Sequence, residues 1–324
     1  MGLGSSAPQR ATALKTARLL YSRDAAGWNN VRITFESLVV VAKLTGRQLV
    51  LPPPSAISHL PDQTFHELQV YDVPSVAQAV DFASAASAPP RANFTGTLSD
   101  LVRAGPAVGG GDVILDPGAT RIQHFECLPL RGAEARLAAQ AVLGLRLAAP
   151  YESATLHALS AAGLRPGSYH GVHLRRGDFA QFRPETQWNG EDLQGRVRRA
   201  FPREEAHWPL LVACAVSPQE ADPFPELALN LAERRVHRTD DLHGPHHGAL
   251  HKAIVDTLLL AKAARFVGTP DSTFSAGIWH WRARDRLLHG LAPERSETLE
   301  GGATVAPRQG LCWERCTTFA ALRS

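Results

Sequence analysis

Lysine is nearly missing from this chain. Of 34 Lys and Arg residues among 324, only Lys15, Lys43, Lys252 and Lys262 are lysine. The basic character therefore rests on arginine, and no lysine-rich block is present to grip nucleic acid. With alanine abundant, that bias reads as coding composition before it reads as function. A net charge of +3 is too small to argue for a nucleic-acid partner. Cysteine is sparse as well: Cys127, Cys214, Cys312 and Cys316. Cys312 and Cys316 make a single Cys-x3-Cys pair without the second pair that a zinc framework needs. That pair could close a disulfide in a secretory lumen, while Cys214, inside an apolar run, reads as a buried thiol. No apolar run approaches the roughly 20 residues that span a bilayer, so no transmembrane segment is expected. The opening Met1-Gly2-Leu3-Gly4-Ser5-Ser6 lacks a hydrophobic signal core. It matches the loose N-myristoylation pattern, and residues 1–16 read more simply as a flexible terminus. Asn93-Phe94-Thr95 is a glycosylation sequon, meaningful only in a secretory compartment.

What is present is ordinary globular chemistry: 44% hydrophobic and 20% charged residues, in a chain long enough for two domains. Strand, helix and strand follow one another over residues 17–21, 29–44 and 48–51, a β-α-β opening that favours a parallel sheet. Residues 55–110, rich in Pro, Ala, Ser and Gly, read as loops with short helices. A strand over 113–115 and helices over 133–147 and 151–164 come next. The Arg165-Pro166-Gly167 break is the expected boundary between an N-terminal domain, 17–164, and a C-terminal domain, 165–290, with 291–324 as an extension. After the break, strands over 169–174, 210–216, 235–237 and 265–268 alternate with helices around 190–200, 223–234, 250–264 and 273–284. The expected class is α/β, with two Rossmann-type domains facing each other across a cleft.

Three segments carry chemistry. Tyr169-His170-Gly171-Val172-His173-Leu174-Arg175-Arg176-Gly177-Asp178 is an apolar strand running into cations, and the carboxyl edge of a parallel sheet is where ligands bind. The planar guanidinium fork suits phosphate oxygens, so the segment points to a diphosphate site; alone it could also be a plain turn. Ala26-Gly27-Trp28-Asn29-Asn30-Val31-Arg32 opens the first long helix, where Asn29 can act as cap, exposed N–H groups suit an anion, and Arg32 can face the same site. Val255-Asp256-Thr257 with Phe266-Val267-Gly268-Thr269-Pro270-Asp271-Ser272-Thr273-Phe274-Ser275 places small hydroxylated residues before a helix, a second anion cradle. Asp256 is positioned early on the preceding helix, where its carboxylate can accept from the paired N–H donors of guanine.

In this order, with Thr45-Gly46-Arg47-Gln48-Leu49-Val50-Leu51-Pro52-Pro53 and His124-Phe125-Glu126-Cys127, the segments resemble the GDP-fucose protein O-fucosyltransferase family over residues 17–285. The resemblance implies a GT-B-like fold, GDP-fucose as donor, transfer of fucose to a hydroxyl of a protein or glycan with inversion, and no metal or other cofactor. It implies that Arg175 binds the β-phosphate and stabilises the departing charge, and that His173 contacts the guanosine portion and Asp256 the guanine edge. Ser272, Thr273 and Phe274 would hold the pyrophosphate and nucleoside, and Asn29, with Asn30 and Arg32, would approach the phosphate–sugar linkage. Asp178 would orient Arg175 or Arg176. Members of the family work in the endoplasmic reticulum or Golgi, and the acceptor is not legible in this chain.

The chain departs from the pattern at Ala26, where one branch carries a glutamate base; Glu36, Asp24 and His124 are the remaining candidates, and Glu36 could equally face solvent. Ala213-Cys214-Ala215-Val216-Ser217 also replaces an acidic segment found in some relatives. Two alternatives follow: a related transferase using UDP-rhamnose, and a non-catalytic nucleotide-sugar or glycan-binding homologue.

Overall fold

A computed structural model of the chain describes residues 17–23, 27–57, 60–89, 91–105, 111–115, 130, 132–177, 181, 184–215, 222, 224–231, 233–270, 272–289 and 297–298. Two parallel sheets organise them. The first is built from β1 (Arg18–Tyr21), β2 (Gln48–Leu51), β5 (Phe82–Ser84) and β6 (Val113–Leu115), in the order β5-β2-β1-β6. The second uses β7 (His170–Arg175), β8 (Leu210–Ala215), β9 (Val236–Arg238), β10 (Arg265–Gly268) and β11 (Glu297–Thr298), in the order β11-β10-β7-β8-β9. In each sheet the strand order reverses beside the first strand of the unit, which opens a crevice at the carboxyl ends. Strands such as Leu19-Leu20-Tyr21 and Leu210-Leu211-Val212 are buried on both faces, as parallel strands covered by helices must be.

Helix α1 (Trp28–Thr45) connects β1 to β2. It is apolar nearly all round, with Val31, Phe35, Leu38, Val39, Val40 and Val41 buried, because it is wedged between the sheet and several other helices rather than against water. Its neighbours include α4 (Leu98–Ala104), α5 (Gly132–Gly144) and α10 (Thr273–Leu288). Two further helices, α2 (Glu67–Val70) and α3 (Val73–Ala79), are short and locally capped. His66 Nδ1 accepts from Leu68 N–H while Gln69 Oε1 accepts from His66 N–H, and the Asp72 carboxylate accepts from Ser75 N–H. Such caps account for short helices in a stretch whose composition suggests loop.

The stretch 55–110 also holds strands. β3 (Ser55–Ile57) and β4 (Leu60–Phe65) form an antiparallel pair, and β5 adds an edge to the first sheet. These segments show no sustained alternation, β4 carries Pro61, and the β3–β4 register shifts between Ala56 and Ile57. Period-two reading fails on such pieces.

Around the second sheet lie α6 (Ala149–Ala161), α7 (Gly190–Ala200), α8 (Phe224–Asn230), α9 (Ala249–Ala261) and α10. Helix α6 packs on α9, and its Ala158 and Leu159 share a core cluster with Tyr169 and Phe266. The chain thus joins the core of the second sheet one helix before the Arg165-Pro166-Gly167 break. The two units meet directly. Leu250 N–H on α9 donates to Gln63 Oε1 of β4 at 3.2 Å, and Arg284 on α10 donates to the Leu143 carbonyl of α5 at 3.2 Å. Among the described residues no helix is long and apolar enough to cross a membrane.

Candidate functional site

The carboxyl end of β7 is fastened to that of β10 by one side chain. Thr269 Oγ1 donates to the His173 carbonyl at 3.0 Å and accepts from Arg175 N–H at 2.8 Å. Gly268, just before it, lets the first turn of α10 close onto the strand, since an added Cβ would stand 2.6 Å from Ser275. Ser275 Oγ in turn lies 2.8 Å from His173 Nδ1, and the Phe274 ring sits 4.7 Å from the imidazole. Burial, with Arg175 beside it, pushes His173 down to about 3. It is a neutral, fixed ring at neutral pH, able to offer a hydrogen bond without adding charge.

Ser272 is the N-cap of α10, but its hydroxyl makes no capping bond. The Ser272 side-chain oxygen is buried and has no partner in the structure. No acidic residue stands in the first turn of α10, so its backbone N–H groups and the positive end of its dipole are left for an exogenous anion. Thr273 and Phe274 follow as the first helical residues, both half-buried. His173, Arg175, Ser272, Thr273 and Phe274 therefore converge at one sheet edge. The arrangement gathers hydrogen-bond donors and a helix N-terminus at one place, which is chemistry that suits an anion.

Asp256, one helix earlier on α9, accepts from His243 Nε2 at 2.7 Å, with its own side chain 16% exposed. Burial raises its carboxyl, an effect that the His243 bond opposes. Sequence reading reached Asp256 but missed His243. The signal available was the run His243-Gly244-Pro245-His246-His247, which spacing alone does not tie to Asp256.

The start of α1 differs from expectation. Gly27, not Asn29, is the N-cap of α1, and it makes no side-chain bond. Asn29 lies inside the first turn, buried, with Oδ1 accepting from Arg32 Nε at 3.2 Å and Nδ2 unpartnered. The neighbouring Asn30 Oδ1 also lacks a partner. Arg32 is 1% exposed and reaches both Glu36 oxygens at 3.0 Å through NH1. The same nitrogen lies 3.0 Å from His280 Nδ1 on α10. Arg32 is thus committed to an internal pair rather than presented to a ligand; NH2 alone has no partner.

Glu36 does not face solvent. Its carboxylate also accepts from Tyr71 Oη at 2.9 Å. Burial pushes that carboxyl up, but Arg32, His280 and Arg284 outweigh it and hold it below the usual range. A carboxylate so enclosed cannot reach an acceptor hydroxyl, which removes Glu36 as a base. Asp24, Ala26, His124–Cys127, Asp178 and Asp271 lie outside the described residues, as do residues 1–16 and Cys312 and Cys316. Among the described residues no three His, Cys, Asp or Glu side chains gather in a metal-ligating arrangement.

Two Rossmann-like sheets with crevices at their carboxyl edges define a GT-B-like fold. Solved fucosyltransferases share it. POFUT1 in complex with GDP-fucose superposes with a TM-score of 0.55 at 15% identity, over 89% of this chain and 98% of that one. NodZ α-1,6-fucosyltransferase soaked with GDP-fucose gives 0.51 at 15% identity, over 82% and 92%. NodZ from Bradyrhizobium gives 0.51 at 14% identity, over 82% and 93%. No protein-family model matches the chain, and no curated protein sequence does.

Proposed function

We propose that this protein is an inverting fucosyltransferase of the O-fucosyltransferase type, moving fucose from GDP-fucose to a hydroxyl of a protein or glycan without a metal. The observation that carries the reading is the buried, unpartnered Ser272 hydroxyl at the acid-free start of α10, beside the strand end that bears His173 and Arg175. Buried polar groups are almost always paired, so an oxygen left open there awaits an oxyanion. The GT-B-like fold, shared with enzymes solved with GDP-fucose, supports the same reading.

In this reading Arg175 and the α10 N–H groups hold the diphosphate, with Ser272 and Thr273 completing the shell. Phe274 and His173 pack and bond against the nucleoside, and Asp256 takes the guanine N1–H and N2–H donors. Asn29 Nδ2 and Asn30, across the cleft, serve the phosphate–sugar linkage. Arg32 acts as a positioning residue that aligns Asn29. During transfer the acceptor oxygen bonds the anomeric carbon as the bond from that carbon to the β-phosphate oxygen breaks, and the hydroxyl proton departs. The electron pair stays on GDP. In this reading negative charge grows on the diphosphate that Arg175 and the helix terminus hold, and preorganised donors of this kind are each worth about 10²–10³ in rate.

Calorimetry with GDP-fucose, GDP and UDP-rhamnose, in EDTA and with an Arg175→Ala control, tests the reading. Metal-independent binding of GDP-fucose that Arg175→Ala abolishes, followed by transfer or donor hydrolysis, supports it. Preference for UDP-rhamnose moves the donor assignment, and binding without turnover leaves a nucleotide-sugar-binding protein.

A further inference from the structure

The opposite end of β7 holds a second cationic site. His170 opens that strand, and its ring is stacked between Phe201 at 4.2 Å and Trp208 at 5.4 Å. Its Nε2 lies 2.9 Å from Glu205 Oε2, a carboxylate that Arg265 also holds at 3.1 Å. Its Nδ1 lies 3.2 Å from Arg234 NH1. Burial pulls His170 down to about 4, so the ring is neutral; its Nε2–H donates to Glu205 and Nδ1 is left to accept from Arg234.

Arg234 is only 7% exposed, yet among the described residues it makes no ion pair at contact distance, although Glu233 acts on it electrostatically. Among those residues its guanidinium meets His170 and the face of Phe201, with the guanidinium carbon 5.8 Å from the ring centre, and its Nε has no partner. A buried arginine is normally paired, because an uncompensated charge in the interior costs several kcal/mol.

What lies beside it explains the vacancy. Arg234 lines a cavity of about 520 Å³ together with Arg198, Arg199, Arg203, Phe201 and Glu233. The single carboxylate there, Glu233, is taken by Arg198 through Nε at 3.1 Å and NH2 at 3.2 Å. Arg199 and Arg203 are exposed and carry no ion pair among the described residues. Arg198 and Arg199 stand in the last turn of α7, where the helix dipole favours a cation. The dipole does not account for the buried Arg234 or for Arg203.

We propose that this cavity is a binding site for a multiply charged tetrahedral oxyanion, a sulfate or phosphate ester on a small molecule. Arg234 would be its buried anchor and Arg199 and Arg203 its rim. Guanidinium forks match such oxyanions in two-point contact, and a ligand there adds negative charge to a lining of four arginines and one carboxylate. The site is separate from the diphosphate cradle: His170 and Arg175 are five residues apart along β7, about 17 Å at the rise of an extended strand. It stands whether or not the proposed donor is right.

The test is calorimetric titration of the full chain with sucrose octasulfate and with inositol hexakisphosphate, at about physiological ionic strength. The expected result is saturable one-to-one binding of at least one probe, kept in Arg175→Ala. Arg199→Glu/Arg203→Glu and Arg234→Met should each weaken it tenfold or more. Arg199 and Arg203 are exposed, and circular dichroism checks the fold of both variants. The stronger probe tells sulfate from phosphate esters. The proposal is overturned if neither probe saturates, if binding disappears in Arg175→Ala, or if both rim and anchor variants bind as tightly as the parent.

Discussion

Gly277 of α10 and Asn29 of α1 meet where the two units touch: a Cβ on Gly277 would stand 2.1 Å from Asn29 Oδ1 and 3.2 Å from Arg32 NH2. No real side chain tolerates the first distance, so the lack of a side chain at 277 is what lets Asn29 lie against α10. Gly277→Ala should push Asn29 and Arg32 away and cost about 1–3 kcal/mol, as overpacking does. Thermal unfolding reads the loss. If Asn29 serves the donor, GDP-fucose turnover should drop in the same variant by more than GDP affinity does. A variant as stable and active as the parent would show that α1 and α10 have room to part.

Glu36 is the only carboxylate on Arg32 among the described residues, and both are buried. Glu36→Gln keeps the shape and removes the charge, leaving Arg32 uncompensated. Breaking a buried pair on one side typically costs about 3–5 kcal/mol. Replacing both partners by apolar residues, as in Arg32→Met/Glu36→Leu, should cost distinctly less. Denaturant midpoints of the three proteins decide it; equal midpoints for parent and Glu36→Gln would mean that the network carries no stability.

Much of this was legible before any coordinates, and the misses share a cause. Helix α1 and strands β1, β2, β7, β8 and β10 follow their apolar runs, because parallel strands and sheet-covering helices are specified by local hydrophobicity. The β3–β4 pair and β5 escaped because three-residue strands and a bulged register leave no period to read. Strand-end and helix-start chemistry grouped Arg175, His173 and Ser272, and the structure brings them to one sheet edge. The pairing of Arg32 with Glu36 was not legible for a different reason. Two further partners of Glu36, Tyr71 and His280, are 35 and 244 residues from it and come from both units, so the pair is sealed between domains. His243 beside Asp256 and Arg234 beside His170 are tertiary pairings of the same kind.

The buried histidines make stability depend on pH. Burial lowers His280 to about 4 and His173 to about 3 from the ordinary 6.5. Because their folded values are depressed, each contributes fully above pH 6.5, and the contribution falls as the pH drops through the interval to the folded value. In that interval the unfolded chain binds the extra proton, which is worth about 1.4 kcal/mol per pH unit for each histidine. Unfolding free energy measured from pH 7 to pH 4.5 should therefore decline steeply. His280→Asn and His173→Asn should each flatten the slope by about one proton. An unchanged slope in both variants would mean that neither ring is held neutral.

Asp256 and His243 give the sharpest test of the nucleotide. A carboxylate fixed by His243 at 2.7 Å can accept from two adjacent N–H donors, which guanine offers and hypoxanthine and uracil do not. The parent should bind GDP more tightly than IDP, and IDP at least as well as UDP. Asp256→Asn replaces one acceptor oxygen by a donor and removes the charge, so a charge-assisted bond worth about 1.5–3 kcal/mol is lost. The expected outcome is that GDP affinity falls to the level of IDP while IDP and UDP change little. His243→Phe, which keeps the packing but frees the carboxylate to rotate, should lose part of the same preference and none of the diphosphate affinity. Competition calorimetry with the three nucleotides measures all of this at once. If GDP and UDP weaken equally in Asp256→Asn, the residue supports the fold of the cleft rather than reading the base.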